Sequence, residues 1–512
     1  MSSHKILARK RLGALLVLLG GCTFLLFFRL AETPVFGDET AYIQVGARAL
    51  RTGHWAPLRE GLGPFPWKPP LTVWGSAAGM ALLGENELGA RLGVGLVGLL
   101  LCALVAGFAL RHGNTWTMVL APLILISAPP LLREHGLRSA VPESWLLLAV
   151  TLSFFYSLET ARRSPGLRLG GLALLSLFSG WTKGIIGPLI VGATLFLVEV
   201  AAPTREPLPP VTLPRRLRSA VAVATATTLP GILFYLAWMV FTFGSISGAI
   251  EFLRFDLAQR AGGGIDPLHL QPPSVYLHAA IANFGAFAIL APVALMALLV
   301  RDWQLPGAAA DAARRVHLTL LLWIVVVFVV FVLPSSRLAW YVYPAYPALA
   351  IATALALDDL RQRLQRFRAG PAIFLLALVL LAGARVQALV RAWPEREPHS
   401  LAALQHRLDA DPAARAYTEI ALLRDPAAVE KYAAWHRFYL RRFEKLASRE
   451  LPADAPACSF VVTSEPEIWK AALGDRLAGV AVVPGRPGAP SGLFVLDLCA
   501  GTFCSAPLAV QP

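Results

Sequence analysis

The stretch LGALLVLLGGCTFLLFFRL, Leu12–Leu30, with the acidic pair Asp38-Glu39 close behind it, sets the fold class of this chain. A helix of that length approaches the ~30 Å of a bilayer's hydrocarbon core, so the two acids emerge at a membrane surface. His4, Lys5, Arg9, Lys10 and Arg11 precede the run. A cleaved leader has a similar layout, but its apolar core is about 7–15 residues long and ends at a small-x-small site. This run is longer and ends Phe27-Phe28-Arg29-Leu30. The expectation is an uncleaved first span with its N-terminus in the cytoplasm.

The rest of the chain repeats the pattern. Of its 512 residues, 56% are hydrophobic and only 15% charged, with mean hydropathy +0.59; a soluble domain carries roughly 25% charged residues. Candidate spans are 12–30, 91–110, 117–133, 143–160, 169–183, 184–201, 218–243, 277–300, 316–333, 338–357 and 371–391. The net charge of +14 does not indicate nucleic-acid binding, because the arginines fall in short clusters between spans, where the positive-inside rule places them.

Leu71–Gly84 is apolar but short, closer to a re-entrant or interfacial helix than to a span. Charge settles its reading. If it does not cross, the cytoplasmic loops hold Arg111, Arg162, Arg163, Arg168, Arg205, Arg215, Arg216, Arg218, Arg301, Arg314, Arg315, Arg361, Arg363, Arg366 and Arg368. If it crosses, all of these face outward, against the rule. The expected fold is an α-helical polytopic membrane protein of about eleven transmembrane helices, with juxtamembrane helices in the first outer loop. Residues 1–393 form the membrane domain. From Pro394 the composition turns soluble, with a helix-like stretch around Lys431–Arg442 and β-like runs at Ser459–Val462 and Leu493–Leu496, broken by Pro484-Gly485 and Pro487-Gly488. Residues 394–512 are therefore expected to form a small α+β periplasmic domain. Cys22 and Cys102 lie in apolar runs, as core residues do. One disulfide is compatible with Cys458, Cys499 and Cys504, and the spacing does not give its connectivity.

In this topology four stretches share the outer face: 31–90, 134–142, 244–276 and 334–337. Most of the unusual polar residues lie in them or at their edges. Asp38-Glu39 precedes Tyr42; a carboxylate at a membrane exit can act as general base toward an acceptor hydroxyl, and capping of a helix start is the structural alternative. Lys68, in Lys68-Pro69-Pro70-Leu71, is held on a proline-stiffened turn, which suits a compact cation for a lipid phosphate; a snorkelling lysine is the alternative. Lys183, in Trp181-Thr182-Lys183-Gly184, has no neutralising neighbour in sequence and either binds phosphate or snorkels. Arg138 and Glu143 flank Pro142, with Glu143 a catalytic candidate or an ordinary helix-start acid. Arg337 and Tyr341 open a span, the arginine able to grip phosphate and Trp340 belonging to an interfacial belt. In 244–276, Glu251, Arg254, Arg260, Asp266 and His269 accompany Gly262-Gly263-Gly264 and Pro272-Pro273, as in a lid that orders over a substrate or a solvated connector. No metal is assigned, since no HxxxH or CxxC spacing supports one, and no Walker, Rossmann or GxSxG pattern is present.

These residues, in this order, resemble the C-type membrane glycosyltransferases, and among them the bacterial branch related to protein O-mannosyltransferases and the lipid A aminoarabinose transferase. The resemblance runs from about Leu12 to Leu357. It rests on Asp38-Glu39-Thr40-Ala41-Tyr42, Lys68-Pro69-Pro70-Leu71, Leu83-Gly84 with Arg91-Leu92, Thr182-Lys183-Gly184, and Arg337 through Tyr341 with Pro344 and Pro347. It implies a polyprenyl-phosphate-linked sugar donor used on the periplasmic side of the bacterial inner membrane. It also implies Asp38 as catalytic base, and Lys68 and Tyr341 as holders of the donor phosphate. Four positions depart from the aminoarabinose transferases. Ala41 replaces an arginine and Glu143 an aspartate, while Trp67 and Phe252 replace the glutamate and histidine of a metal site. The departures argue against a metal and against aminoarabinose as the sugar.

The expected function is thus an inverting glycosyltransferase. Its site comprises Asp38, Glu39 and Glu143 as catalytic residues, Lys68, Tyr341, Arg337 and Lys183 around the phosphate, and Tyr42, Arg138, Glu251, Arg260 and His269 as substrate-loop residues. The partners are the lipid-linked donor, membrane lipid and a periplasmic acceptor, whether lipid A, another glycan or a protein. A polyprenyl-phosphate or lipid transporter is the alternative; transporters place ionisable groups at midplane on repeated halves, which this chain lacks. A scaffold presenting the C-terminal domain to a partner is a third reading.

Overall fold

The computed structural model describes residues 2–33, 35, 38–60, 63–133, 135–161, 163–202, 212–262 and 269–392, together with five strands of the C-terminal region. The chain divides into two compact units, Met1–Leu30 with Val45–Trp393, and Ala31–Gln44 with Pro394–Pro512.

Each expected span falls on a helix or a broken pair of helices. The helices are α1 (Ser2–Phe27), α2 (Asp38–Thr52), α3 (Leu71–Leu83), α4 (Glu87–His112), α5 (Thr115–Ile126), α6 (Pro129–Arg133), α7 (Pro142–Thr160), α8 (Pro165–Lys183), α9 (Ile186–Ala201), α10 (Leu213–Phe243), α11 (Ile246–Gly262), α12 (Val275–Phe284), α13 (Phe287–Trp303), α14 (Ala308–Val332), α15 (Tyr346–Leu364) and α16 (Gly370–Ala392), with a 3₁₀ helix Ala339–Ala345 leading into α15. Among the described residues, α4, α10, α14, the 3₁₀–α15 segment and α16 are each long and apolar enough to cross a membrane. The pair α12–α13, bent by 88°, makes a sixth crossing if it counts as one span. That is fewer than the eleven expected. The segment 117–133 is split into α5 and α6 before Pro129-Pro130 and α9 is short, while α7 and α8, at 19 residues each, are long enough to cross but less apolar than the others. The helix α3 has 13 residues, about 20 Å of rise, too short to span; this agrees with the charge argument.

Local chemistry sets the helix ends. Asn86 caps α4 by accepting from the Gly89 amide at 2.8 Å, and Asn114 caps α5 in a reciprocal box with Thr117. Pro142 and Pro165 open α7 and α8, where a missing N–H costs nothing.

Small residues let the helices approach closely, as membrane helices require. A Cβ on Gly79 of α3 would stand 2.1 Å from the Gly89 carbonyl of α4. One on Gly180 of α8 would stand 2.5 Å from the Gly231 carbonyl of α10. There the Gly231 amide also donates to Ser176 Oγ at 3.0 Å. A buried ionic hub ties α8, α9 and α14 together, with Glu199 Oε1 accepting from Arg168 at 2.7 Å and Arg315 at 2.6 Å. The 3₁₀–α15 segment is interior, 78% of its apolar window buried, whereas α16 is peripheral at 6%. Exposed Leu217, Val221, Leu229, Leu233, Leu236 and Phe241 on α10 form an apolar surface of the kind that lipid covers.

In the first unit β1 (Arg59–Glu60) pairs antiparallel with β2 (Gly63–Pro64). In the second unit the described strands are β3 (Glu419–Leu422), β4 (Lys445–Ala447), β5 (Phe460–Thr463), β6 (Gly479–Val483) and β7 (Leu493–Asp497), in the order β4-β3-β5-β7-β6. The pairs β3–β4 and β3–β5 are parallel; β5–β7 and β6–β7 are antiparallel. Both sequence-expected runs fall on strands, β5 and β7. Lys431–Arg442, Cys458, Cys499 and Cys504 lie outside the described residues.

Candidate active site

Helices α7 and α8 form a hairpin, which brings the first turn of one against the last turn of the other. The buried Glu143 at the start of α7 therefore meets Lys183 at the end of α8, Oε1 to Nζ 2.7 Å. Each charge also sits at the favourable pole of its own helix. Lys183 is thus neutralised after all, by an acid forty positions upstream. Its ammonium lies 4.7 Å from the centroid of the Tyr341 ring, a cation–π contact.

Tyr341 sits on the 3₁₀ helix, and its hydroxyl meets Arg260 Nη1 at 3.5 Å. Arg260 is held in turn by Asp256, Nε to Oδ1 and Oδ2 at 3.0 and 2.9 Å. Burial works against the Arg260 charge. The hydrogen bond and charge of Asp256, with Tyr341 behind them, outweigh burial and raise its pKa. Phe252, Asp256 and Arg260 recur every four residues along α11, on one helical face. At one end of that face Phe252 packs edge-to-face on Trp67, with centroids 5.5 Å apart, beside the Lys68 turn. At the other end Arg260 reaches Tyr341. Eight residues of helix separate the two by about 12 Å. Lys68 is half-buried, its Nζ donating to the Trp67 carbonyl at 3.0 Å.

One more group adjoins this cluster. His135 Nδ1 stands 3.7 Å from Glu143 Oε2, and its ring stacks face to face on Trp340, with centroids 4.0 Å apart and planes within 4°. Its backbone is left-handed, φ +49°, uncommon for a residue with a side chain. Neither His135 nor Asp256 emerged from the sequence. The i, i+4 spacing of Asp256 and Arg260 was the available signal for one. For His135 only its place beside a glycine in an outer loop was visible.

Several sequence candidates have other employment. Arg138, expected to face substrate, is buried and donates to the Leu25 and Phe28 carbonyls at 2.6 and 2.9 Å. It caps the C-terminal end of α1. Burial, with Arg91 second, lowers its pKa to about 10, so it stays charged at neutral pH. Arg337, expected to grip phosphate, donates Nε and Nη2 to the Val332 carbonyl and Nη1 to that of Gln271, capping α14. His269 Nδ1 pairs with Ser336 Oγ at 2.9 Å, and its carbonyl accepts from the Arg337 amide. It fastens the outer loop instead of facing a ligand. Glu251 is exposed, one position away from the Phe252–Arg260 face. Asp38 and Glu39 open α2, Asp38 exposed and Glu39 buried, with Tyr42 buried one turn on. Asp266 lies outside the described residues.

No protein-family model matches the chain. Among curated proteins it is similar to the undecaprenyl phosphate-alpha-4-amino-4-deoxy-L-arabinose arabinosyl transferase 2 of Pseudomonas fluorescens Pf0-1, with 28% identity over 378 residues, 71% of this chain and 63% of the relative. It is also similar to the corresponding transferase of Pseudomonas aeruginosa PAO1, with 27% identity over 385 residues and the same coverage. The chain thus spans just under two thirds of these relatives. Among solved structures it is similar to ArnT from Cupriavidus metallidurans bound to undecaprenyl phosphate, with TM-score 0.62, 17% identity, and 98% of this chain and 99% of that one covered. The apo Archaeoglobus fulgidus oligosaccharyltransferase matches with TM-score 0.57 and 14% identity over 92% of this chain and 73% of that one. This chain shares the fold of these two membrane proteins.

The resemblance implies a divalent metal at the positions of Trp67 and Phe252, and the residues here do not fit one. The two positions that would supply the ligands carry Trp67 and Phe252, packed on each other. An indole and a phenyl ring offer no donor of the nitrogen, oxygen or sulfur type that such ions take. Among the described residues no group of three or more His, Cys, Asp and Glu is placed to hold an ion.

Proposed function

We propose that the protein is an inverting glycosyltransferase of the bacterial inner membrane, moving a sugar from a polyprenyl-phosphate donor to an acceptor on the periplasmic side. The convergence of Lys183, Tyr341 and Arg260, from three separate elements, beside Glu143 carries this reading. Two cations and a phenol at one spot are what a phosphate leaving group needs. The curated relatives, named for an undecaprenyl phosphate-linked sugar, support the donor class, as does the neighbour solved with undecaprenyl phosphate.

In this reading Lys183, Tyr341 and Lys68 hold the donor phosphate, and Arg260 orients the Tyr341 hydroxyl. Exposed Asp38 takes the proton from the acceptor hydroxyl as it attacks the anomeric carbon on the face opposite the phosphate, and inversion follows from that two-sided geometry. Helix α11, fastened through Trp67 and Arg260, closes over the sugar. The N-terminus is cytoplasmic, and residues 394–512 form a periplasmic domain. Lipid A, another glycan or a protein would serve as acceptor.

The test is transfer from radiolabelled polyprenyl-phosphate sugars in membranes holding wild type, Asp38→Asn or Lys68→Ala. Asp38→Asn should lose about 10²–10⁴-fold in turnover with donor binding retained, and Lys68→Ala should weaken donor binding. Full activity in Asp38→Asn would falsify the assignment of the base.

A further inference from the structure

His135 lies outside the phosphate cluster proper, yet its position is closely determined. Its backbone is left-handed, a cost that persists only where the surroundings impose it. A Cβ on the following Gly136 would stand 1.8 Å from the Leu131 carbonyl, so the turn that carries it is packed tight. One face of the ring lies flat on Trp340, and its Nδ1 edge looks at Glu143 Oε2. The two oxygens of Glu143 thus meet two different bases, Lys183 on Oε1 and His135 on Oε2. Each base leans on one of two adjacent aromatic residues, Lys183 on Tyr341 and His135 on Trp340.

We infer that His135 is a positioning residue, the second cation of Glu143, which lets Lys183 turn from its carboxylate to the donor phosphate. The inference rests on the donor reading above. An ammonium locked to a buried carboxylate is poorly available to a third charge, and withdrawing it leaves that carboxylate unpaired, at a large cost. An imidazolium 3.7 Å from the other oxygen removes the cost, because Glu143 keeps a counter-charge when Lys183 leaves. Among the described residues, Glu143 on α7 faces the ring and, through it, Lys183 on α8, with the Tyr341 phenol and then Arg260 beyond. The sign follows. The second cation is present at low pH and is lost as pH rises through the imidazole range, so affinity for the phosphate falls with it.

The experiment measures binding of undecaprenyl phosphate to the full-length protein in nanodiscs at pH 6 and pH 8, for wild type, His135→Asn and His135→Phe. Asparagine tolerates the left-handed backbone but is too short to reach Glu143; phenylalanine keeps the stack on Trp340 but carries no charge. Wild type should bind more tightly at pH 6. Both variants should bind about tenfold more weakly than wild type at pH 6, the loss of one charge-assisted contact, and should keep only the pH dependence of the phosphate's own second ionisation. In the transfer assay the donor KM should rise while kcat at saturating donor is kept. Wild-type affinity in His135→Phe at both pH values would show that the ring only stacks, and would overturn the inference. Equal affinity of His135→Asn and wild type at pH 6 would do the same. A wild type that binds no undecaprenyl phosphate at either pH overturns the donor reading itself, and this inference with it.

Discussion

At the residue scale the decisive pair is Glu143 and Lys183. Both are buried, their side chains 7% and 13% exposed, and removal of one partner from a buried pair costs about 3–5 kcal/mol. At pH 8, above the imidazole range in which His135 can supply a second counter-charge, Lys183→Met should therefore lower the thermal midpoint sharply, while Lys183→Met combined with Glu143→Gln should regain most of the stability and none of the transfer. Equal midpoints for the single and double variants would mean that the ion pair does not hold the hairpin. Trp67 and Phe252 supply a second test. Transfer should survive exhaustive chelation, since neither ring binds a cation, and the double variant Trp67→Glu, Phe252→His should gain zinc measurable by elemental analysis. Metal-dependent transfer in the wild type would contradict the reading of that aromatic pair. Lys68, Lys183, Tyr341 and Arg260 were all legible as unusual polar residues at span edges. Which of them would share a site was not, because Lys183 and Glu143 are forty positions apart and meet only through the α7–α8 hairpin. Arg138 and Arg337 misled for a complementary reason. An arginine on an outer loop looks the same in sequence whether it awaits an anion or caps carbonyls, and here both cap helix ends.

At the element scale, glycine-lined contacts fix where the site residues stand. Helix α8 carries Lys183 and lies on α10 through Gly180 and Gly231. Gly231→Leu would drive a side chain into the Ser176 carbonyl, which stands 2.4 Å from the position of a Cβ. Overpacking of this kind costs about 1–3 kcal/mol, and because it pushes α8 aside it should reduce transfer more than Gly107→Leu, at a position with nothing within 4 Å. A comparison of thermal midpoints and transfer rates for the two variants checks this. The Glu199 hub, shared by Arg168 and Arg315, anchors the same helix at its opposite end. Lys183 is therefore held between a close helix contact and an ionic anchor.

At the scale of the whole molecule, the charge distribution predicts sidedness. In a background with the five native cysteines replaced, an impermeant maleimide added outside should label Ser247→Cys on α11 and leave Gln365→Cys, after α15, unlabelled until the membrane is opened. Both positions are exposed. The reverse pattern would invert the topology and with it the side on which the sugar is used. The broad, lipid-suited flank of α10 and the peripheral α16 set the orientation of the bundle against lipid, while the interior 3₁₀–α15 segment holds Trp340 and Tyr341 against the hairpin of α7 and α8.

Residue order alone specifies a multi-pass helical protein, the positions of its helices, and a Leu71–Leu83 segment too short to cross. Apolar length and the placement of arginines are properties of the chain read in order, and the bilayer is a one-dimensional constraint on them. Residue order also specifies the strands β5 and β7, from short β-branched runs bounded by glycine and proline. Packing in three dimensions settles which charges are spent on helix ends and which converge, that Glu143 is shared by Lys183 and His135, and that Trp67 faces Phe252. Those outcomes depend on distances between residues far apart in sequence. Such distances are set by helix packing, and a pattern read along one chain carries no record of them.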